Sequence, residues 1–202
     1  MSRSSETTSQ KTENYHHGNL RQALLDAARA IGEEGNLEQL TLREVARRAG
    51  VSHAAPYHHF KDKAAIITAL AQDSDARLES AMRMAIKGLK APKARLNAIG
   101  VEYVVHAFEN PNEFRMLFRR ETQTILEPPC LPKEGAFAVL LECVQECLEA
   151  KLFNFPDIET GALYMWSLVH GLATLIVDGP LHYTMTTKKQ VKALVIKLIG
   201  GF

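Results

Sequence analysis

Apolar residues along this chain recur at three- and four-residue intervals, and no stretch of useful length alternates in the way a half-buried strand would. The first such stripe, Leu20, Leu24, Ala27, Ala28 and Ile31, predicts an amphipathic helix over about Asn19–Glu34, closed by Gly35. Leu42, Val45, Ala46 and Ala49 carry a second, shorter one. Thr41 is a good N-cap for it, Glu44 completes the pattern of a capping box, and Gly50 supplies the positive φ that ends it. Val51 then plugs a tight turn, Ser52 caps, and another short helix is expected from His53-Ala54-Ala55-Pro56, where a proline in the first turn costs little. A long helical region follows Lys61-Asp62-Lys63 to about Lys90. In it Ala65, Ile66, Ile67 and Leu70 are expected to pack under the short helices, and Leu78, Met82 and Ile86 against the rest of the chain. Further helices are predicted over Pro92–Glu109, Asn112–Thr122, Lys133–Leu152, Asp157–Val177 and Thr186–Ile199, with a Pro-rich loop at Ile125–Pro132. There is no internal repeat. The expected fold is all-α.

Two helices joined by a Gly-containing turn, the second beginning with small side chains, meet the needs of a helix-turn-helix that presses its backbone into the DNA major groove. The stretch Thr41-Leu42-Arg43, Ala46, Ala49-Gly50-Val51-Ser52 and Tyr57-His58-His59-Phe60, followed by Lys63, resembles the DNA-binding domain of the tetracycline-repressor (TetR) family of bacterial regulators. The resemblance covers roughly the first third of the chain, and Tyr15-His16-His17-Gly18 resembles the entry to its first helix. It implies a three-helix DNA-binding domain over residues 15–75, preceded by a polar, Ser/Thr-rich arm at 1–14 read as disordered, and a helical regulatory and dimerisation domain over 76–202.

Site residues carried over by the resemblance fall into two sets. Thr41 and Arg43 would touch phosphate or a neighbouring base, and Tyr57, His59 and Lys63 the backbone, with His58 an additional contact. Ser52 caps the reading element, on which His53, Ala54 and Ala55 occupy the base-reading positions. Pro56 stands where the family more often has a branched apolar residue, which predicts a recognition helix that is shortened or starts late.

Composition adds little: 202 residues, 46% hydrophobic and 23% charged, with a net charge of +1, describe an ordinary globular chain with length for a core. The local balance says more. Between Thr41 and Lys63, Arg43, Arg47, Arg48, Lys61 and Lys63 stand against only Glu44 and Asp62, the makings of a modest phosphate-facing patch. No run is read as long enough to span a membrane, and the first residues lack a secretory core, so a cytoplasmic protein is expected. Cys130, Cys143 and Cys147 form no disulfide framework. Cys143 and Cys147, one helical turn apart, are read as core packing before a thiol sensor or a part of a metal site.

In the Asp157–Val177 segment, Trp166-Ser-Leu-Val-His170-Gly171 resembles the Trp…His-Gly element of one C-terminal subclass of TetR-type regulators. Its structural reading is a core tryptophan, a buried polar contact for the histidine and a close helix approach at Gly171. The segments Lys133–Leu152 and Asp157–Val177 are apolar on more than one side, through Phe137, Leu140, Leu141, Val144 and Leu148, and Leu163, Leu168, Leu172, Leu175 and Ile176. They are therefore expected to form a homodimer face, which would place two reading elements on a roughly palindromic site in double-stranded DNA. The family resemblance implies a small-molecule effector, apolar or amphipathic, that releases a repressor from its operator. Tyr103, Phe108, Phe114, Phe118, Trp166 and His170 are the candidate pocket residues, while Arg115, Arg119 and Arg120 are read as a solvated helix face before cations for an acidic ligand. No Gly-rich phosphate loop, CxxC, HExxH or GxSxG occurs, so neither an enzyme nor a bound metal or cofactor is expected. The competing reading is a ligand-independent, architectural DNA-binding protein, which a C-terminal domain lacking a cavity would favour.

Overall fold

Every long periodic segment is an α-helix in the computed structural model, which describes residues 17–35, 39–118 and 134–200. The helices are α1 (His17–Glu33), α2 (Leu42–Ala49), α3 (Lys63–Ala85), α4 (Pro92–Glu109), α5 (Pro111–Leu117), α6 (Gly135–Glu149), α7 (Ile158–Val177) and α8 (Lys188–Ile199). Single 3-10 turns occur at Ala55–His58 and Pro180–Tyr183, and the described residues include no strand. The 1–14 arm, Tyr15, His16, the His17 side chain, Arg119, Arg120, the Pro-rich loop and Cys130 lie outside the described residues.

Helix starts follow their caps. Asp62 Oδ1 accepts the Ala65 amide at 2.8 Å at the head of α3, and Asp157 Oδ1 accepts that of Thr160 at 2.7 Å at the head of α7. Thr187 and Gln190 form a reciprocal capping box on α8. At α2 only half of the expected box forms. Thr41 Oγ1 accepts the Glu44 amide at 3.1 Å, while the Glu44 carboxylate turns to Arg47 and Arg48. A cap of this kind is worth about 1 kcal/mol.

The second element of the predicted helix-turn-helix differs from expectation. Instead of an α-helix capped by Ser52, the chain makes one 3-10 turn with no side-chain cap. Pro56 has no amide to reach back four residues, so the neighbouring bonds close at three. Ala55 N–H bonds Ser52 O at 3.0 Å, Tyr57 N–H bonds Ala54 O at 3.1 Å, and His59 N–H bonds Pro56 O at 2.9 Å. Before it, Gly50 at φ 68° ends α2, with the Val51 amide on Ala46 O and the Gly50 amide on Arg47 O, a Schellman arrangement.

The chain divides into two compact units, Met1–Ile66 and Ile67–Phe202. The first is centred on Leu24, Leu25, Ala28, Ile31, Leu40, Leu42, Val45 and Phe60, all buried. Full burial of each large side chain is worth about 1.5–3 kcal/mol. In the second unit α4 is the central helix, packed against α5, α6, α7 and α8. Leu78, Met82 and Ile86 of α3 join this core with Ile99, Val104, Val139, Val144, Ile176 and Val195.

Three expectations about the second unit need correction. The outward positions of α6 are polar, Glu142, Gln145 and Glu149, and Arg83 pairs with Glu142 and Arg95 with Glu146. The exposed apolar side chains sit instead on α7 (Leu163, Tyr164, Leu168, Leu175) and α8 (Ile196, Leu198). Gly171 receives no neighbouring helix within the described chain, since a Cβ there would meet nothing within 4 Å. Close approaches occur instead at Gly161 of α7, where a Cβ would lie 3.0 Å from Val144 of α6, and at Gly100 of α4, where it would lie 3.3 Å from Ile199 and 3.4 Å from Val169. Finally, α7, with 20 residues and a mean hydropathy of 1.4, is long and apolar enough to cross a membrane by length and composition. A helix with one face in a core and a second apolar face outside reaches the same values without a membrane, and α7 has both faces.

Candidate nucleic-acid interface and internal cavity

The first unit presents one continuous polar surface built by α2 and the turn after it. Thr41, Arg43, Ser52, His53, Ala54, Tyr57, His58 and His59 are all exposed, Tyr57 at 56%. Ala55 and Lys63 are half-buried. Two buried anchors hold the turn in place: Pro56, and Phe60 with the Arg21 guanidinium 5.5 Å from its ring centre. Alternation of buried Pro56 and Phe60 with exposed Tyr57, His58 and His59 leaves the aromatic and imidazole groups facing solvent together.

The charge of this surface is not what a count along the window implies. Arg47 and Arg48 are both engaged by Glu44, and Arg48 is also paired with Glu34, which lies outside that window at the end of α1. Hydrogen bonds from the two guanidinium groups hold the Glu44 carboxyl down to about 2, and those from Glu34 and Glu44 raise the Arg48 guanidinium further. Arg48 thereby ties α1 to α2, while Arg47 stays exposed and pairs with Glu44 within α2. Arg43, by contrast, is exposed and has no ion-pair partner among the described residues.

The second unit holds a cavity of about 550 Å³, open on one side. Its wall is drawn from α3 (Ala71, Gln72, Asp75, Leu78, Met82), α4 (Leu96, Asn97, Ile99, Gly100, Tyr103), α5 and its end (Leu117, Phe118), and the start of α6 (Glu134, Ala136, Phe137, Leu140). Phe153, then α7 (Met165, Trp166, Leu168, Val169) and Ile199 of α8, complete it. A volume in this range holds a drug-sized molecule.

Behind one wall, α4, α5, α6 and α7 meet in an aromatic cluster. Trp166 Nε1–H donates to the Tyr103 hydroxyl at 3.3 Å, and that hydroxyl lies 2.9 Å from His170 Nδ1. Because an indole can only donate, the Tyr103 proton is assigned to the bond with His170 Nδ1, which makes the imidazole a neutral acceptor there. Burial lowers the His170 pKa, in agreement, and raises that of Tyr103 well above the usual phenol value. Phe118 stands edge-on to His170 at 4.4 Å between ring centres, and Phe137 edge-on to Trp166 at 5.7 Å.

Of the expected pocket residues, Tyr103, Phe118 and Trp166 stand on the cavity wall, while Phe114 and His170 pack behind it and Phe108 lies half-buried against the core elsewhere. Arg115 is not on the wall. It bonds Asp178 at 2.7 Å and Asn112 at 2.7 Å. Cys143 and Cys147 are buried, and burial pushes the Cys143 thiol up to about 11, so neither is poised as a thiolate. Asp75 escaped the sequence reading. A signal was there: Ala71, Asp75, Leu78 and Met82 share one face of α3, so a carboxylate interrupts an apolar stripe.

Comparison with known proteins then bears on both surfaces. A family model described as "Bacterial regulatory proteins, tetR family" matches residues 24–70, and one described as "Tetracyclin repressor-like, C-terminal domain" matches residues 96–199. The HTH-type transcriptional regulators BetI of Serratia proteamaculans and Rhizobium meliloti are 36% identical over 81 residues and 38% over 80. Those alignments cover 39% of this chain in each case, and 41% and 39% of the two relatives, about two fifths of their length. Among solved structures, a Rhodococcus sp. RHA1 protein of unknown function is 29% identical with a TM-score of 0.73, covering 94% of this chain and 98% of that one. The regulator FadR of Bacillus subtilis, solved in complex with stearoyl-CoA, is 18% identical at a TM-score of 0.67, covering 88% and 96%, and so shares the fold.

Proposed function

The chain belongs to the TetR family of bacterial regulatory proteins, and on that premise we propose that it is a transcriptional repressor that binds a palindromic operator as a homodimer and is released by a small molecule. One observation carries the ligand-controlled form of this reading: the second unit holds a cavity of about 550 Å³ large enough for an effector. A purely architectural DNA-binding protein has no use for such a space.

In this reading Thr41, Arg43, Tyr57, His59 and Lys63 hold phosphates and fix the register, with His58 an added contact. His53, Ala54 and Ala55 face the base edges. Small side chains there bring the 3-10 backbone close to the groove floor, so His53 has the reach to read a base. The apolar stripe Tyr164, Leu168, Gly171 and Leu175 on α7, with Ile196 on α8, supports the dimer. These α7 positions repeat at helical spacing, and Gly171 leaves room for a second copy's helix to approach. A two-fold pair of reading elements requires a palindromic site. An effector acts only through its difference in affinity between the DNA-bound and released states.

Selection of bound sequences from random duplex DNA, followed by binding of the winner across a salt series, tests the reading. A palindrome bound by two copies, with affinity falling as salt rises, is the expected result. Salt-sensitive binding without an enriched motif would instead make this an architectural protein.

A further inference from the structure

Among the described residues, the charged groups on the cavity wall are both carboxylates, Asp75 and Glu134. Cations are spent elsewhere. Among the described residues of the second unit every arginine has an acidic partner: Arg77 with Glu113, Arg83 with Glu79 and Glu142, Arg95 with Glu146, and Arg115 with Asp178. None of these arginines lines the cavity.

Asp75 is held in place but poorly compensated. Its Oδ1 accepts the Ala136 amide at the start of α6 at 3.4 Å, a long bond. Its other oxygen lies over Gly135, where a Cβ would fall 1.7 Å away, so that position tolerates no side chain. Burial raises the Asp75 pKa and no described cation offsets it. Glu134, beside it at the head of α6, is exposed at the rim. Three residues after Glu134, Phe137 begins an aromatic surface that continues through Trp166 to Phe118, with ring centres 5.7 and 6.1 Å apart. Acidic groups at one end and π-faces along the wall attract the same kind of charge.

We propose that the effector is an amphipathic organic cation, an ammonium or phosphonium carried on an apolar body. Its charge would be directed to Asp75 and Glu134 and its body laid against Trp166, Phe118 and Phe137. The inference rests on the reading of this cavity as the effector site. An anionic amphiphile would bring its charge to two carboxylates with no described cation on the wall to receive it.

Trp166 is the single tryptophan of the chain and stands on the cavity wall, so its emission reports occupancy directly. Tetraphenylphosphonium and tetraphenylborate have the same shape and opposite charge. Titrated into the full-length protein at fixed ionic strength, the phosphonium is expected to alter Trp166 emission saturably and to bind at least about tenfold more tightly than the borate. Asp75→Asn keeps an oxygen for the Ala136 amide, and Glu134→Gln changes an exposed rim position. Each is expected to weaken the phosphonium and narrow the gap between the two probes. Equal binding of the pair, tighter binding of the borate, or a phosphonium affinity unmoved by both substitutions overturns the proposal. If tetraphenylborate or stearoyl-CoA saturates the signal and the phosphonium does not, the cavity remains an effector site of another ligand class. If no probe moves Trp166 in a protein that binds its DNA, the effector reading falls with it.

Discussion

Tyr103→Phe removes one oxygen and nothing else from the aromatic cluster of Tyr103, Phe114, Phe118, Trp166 and His170. Tyr103 is 7% exposed, and its ring stands edge-on to Phe114 at 6.2 Å, a contact phenylalanine keeps. Two hydrogen bonds disappear, the strong one to His170 at 2.9 Å and the longer one from Trp166 at 3.3 Å. At about 1 kcal/mol for each bond, with a further cost for a stranded indole N–H and a gain from no longer burying a hydroxyl, the net loss is about 2 kcal/mol. For a chain of this size that lowers the melting midpoint by roughly 4–8 °C. Urea denaturation followed by Trp166 emission at fixed protein concentration reads both the stability and the local environment of the indole. A double-mutant cycle with His170→Asn should give a coupling of about 1 kcal/mol, since the two substitutions remove the same bond. A Tyr103→Phe loss below about 0.5 kcal/mol, or strict additivity in the cycle, would refute the network as a source of stability.

Other consequences follow from the same geometry. Tyr57→Phe removes the hydroxyl proposed to brace phosphate and should weaken binding to all duplexes by a similar factor, about tenfold or less; a shift in base preference measured by sequence selection would count against that role. His53→Ala should change the selected sequence at one position of each half-site, and an unchanged consensus would remove His53 from the reading set. Leu175→Glu places like charges across the proposed two-fold on an exposed position, so sedimentation should show monomer where the parent is dimeric, with helix content retained. Stability should fall between pH 7.5 and 5.5. Burial lowers the pKa of both His106 and His170, so the unfolded chain binds protons first as pH drops through about 6.5, and folding is disfavoured below it. The raised pKa of Asp75 acts in the opposite sense and only in the carboxylate range. His106→Gln should flatten the slope, and a flat parent profile would refute it.

Much of the fold was legible because local rules and tertiary needs agree. Pro92 and Asn110-Pro111 bracket α4, whose predicted bounds match those observed, since a proline fixes the first turn and the residue before a second proline leaves the helix. Agreement failed where a residue's partner is distant. Glu44 looked like half of a capping box because its spacing allows it, but two arginines outcompete one amide for a carboxylate. The patch charge looked larger than it is because Glu34 reaches Arg48 from fourteen positions away. Pro56 carried its own warning, and its missing amide converts the reading helix to a 3-10 turn.

The pocket residues divide in the same way. Aromatic identity marked Tyr103, Phe118 and Trp166, yet the same identity marked Phe108 and Phe114, and only packing separates a wall from the core behind it. Asp75 was hidden because a carboxylate on an apolar stripe is unremarkable until a glycine on another helix is seen beneath it. By itself the sequence determined the all-helical fold, the turn with its exposed polar face and the family it resembles. Each of these depends on spacing and side-chain type within a few residues. Tertiary structure alone decided which arginines are spent on neighbours, which apolar helices present an outer face, and that the charged groups on the described part of the cavity wall are carboxylates. Those depend on groups brought together from α3, α4, α6 and α7, and a linear pattern does not encode that distance.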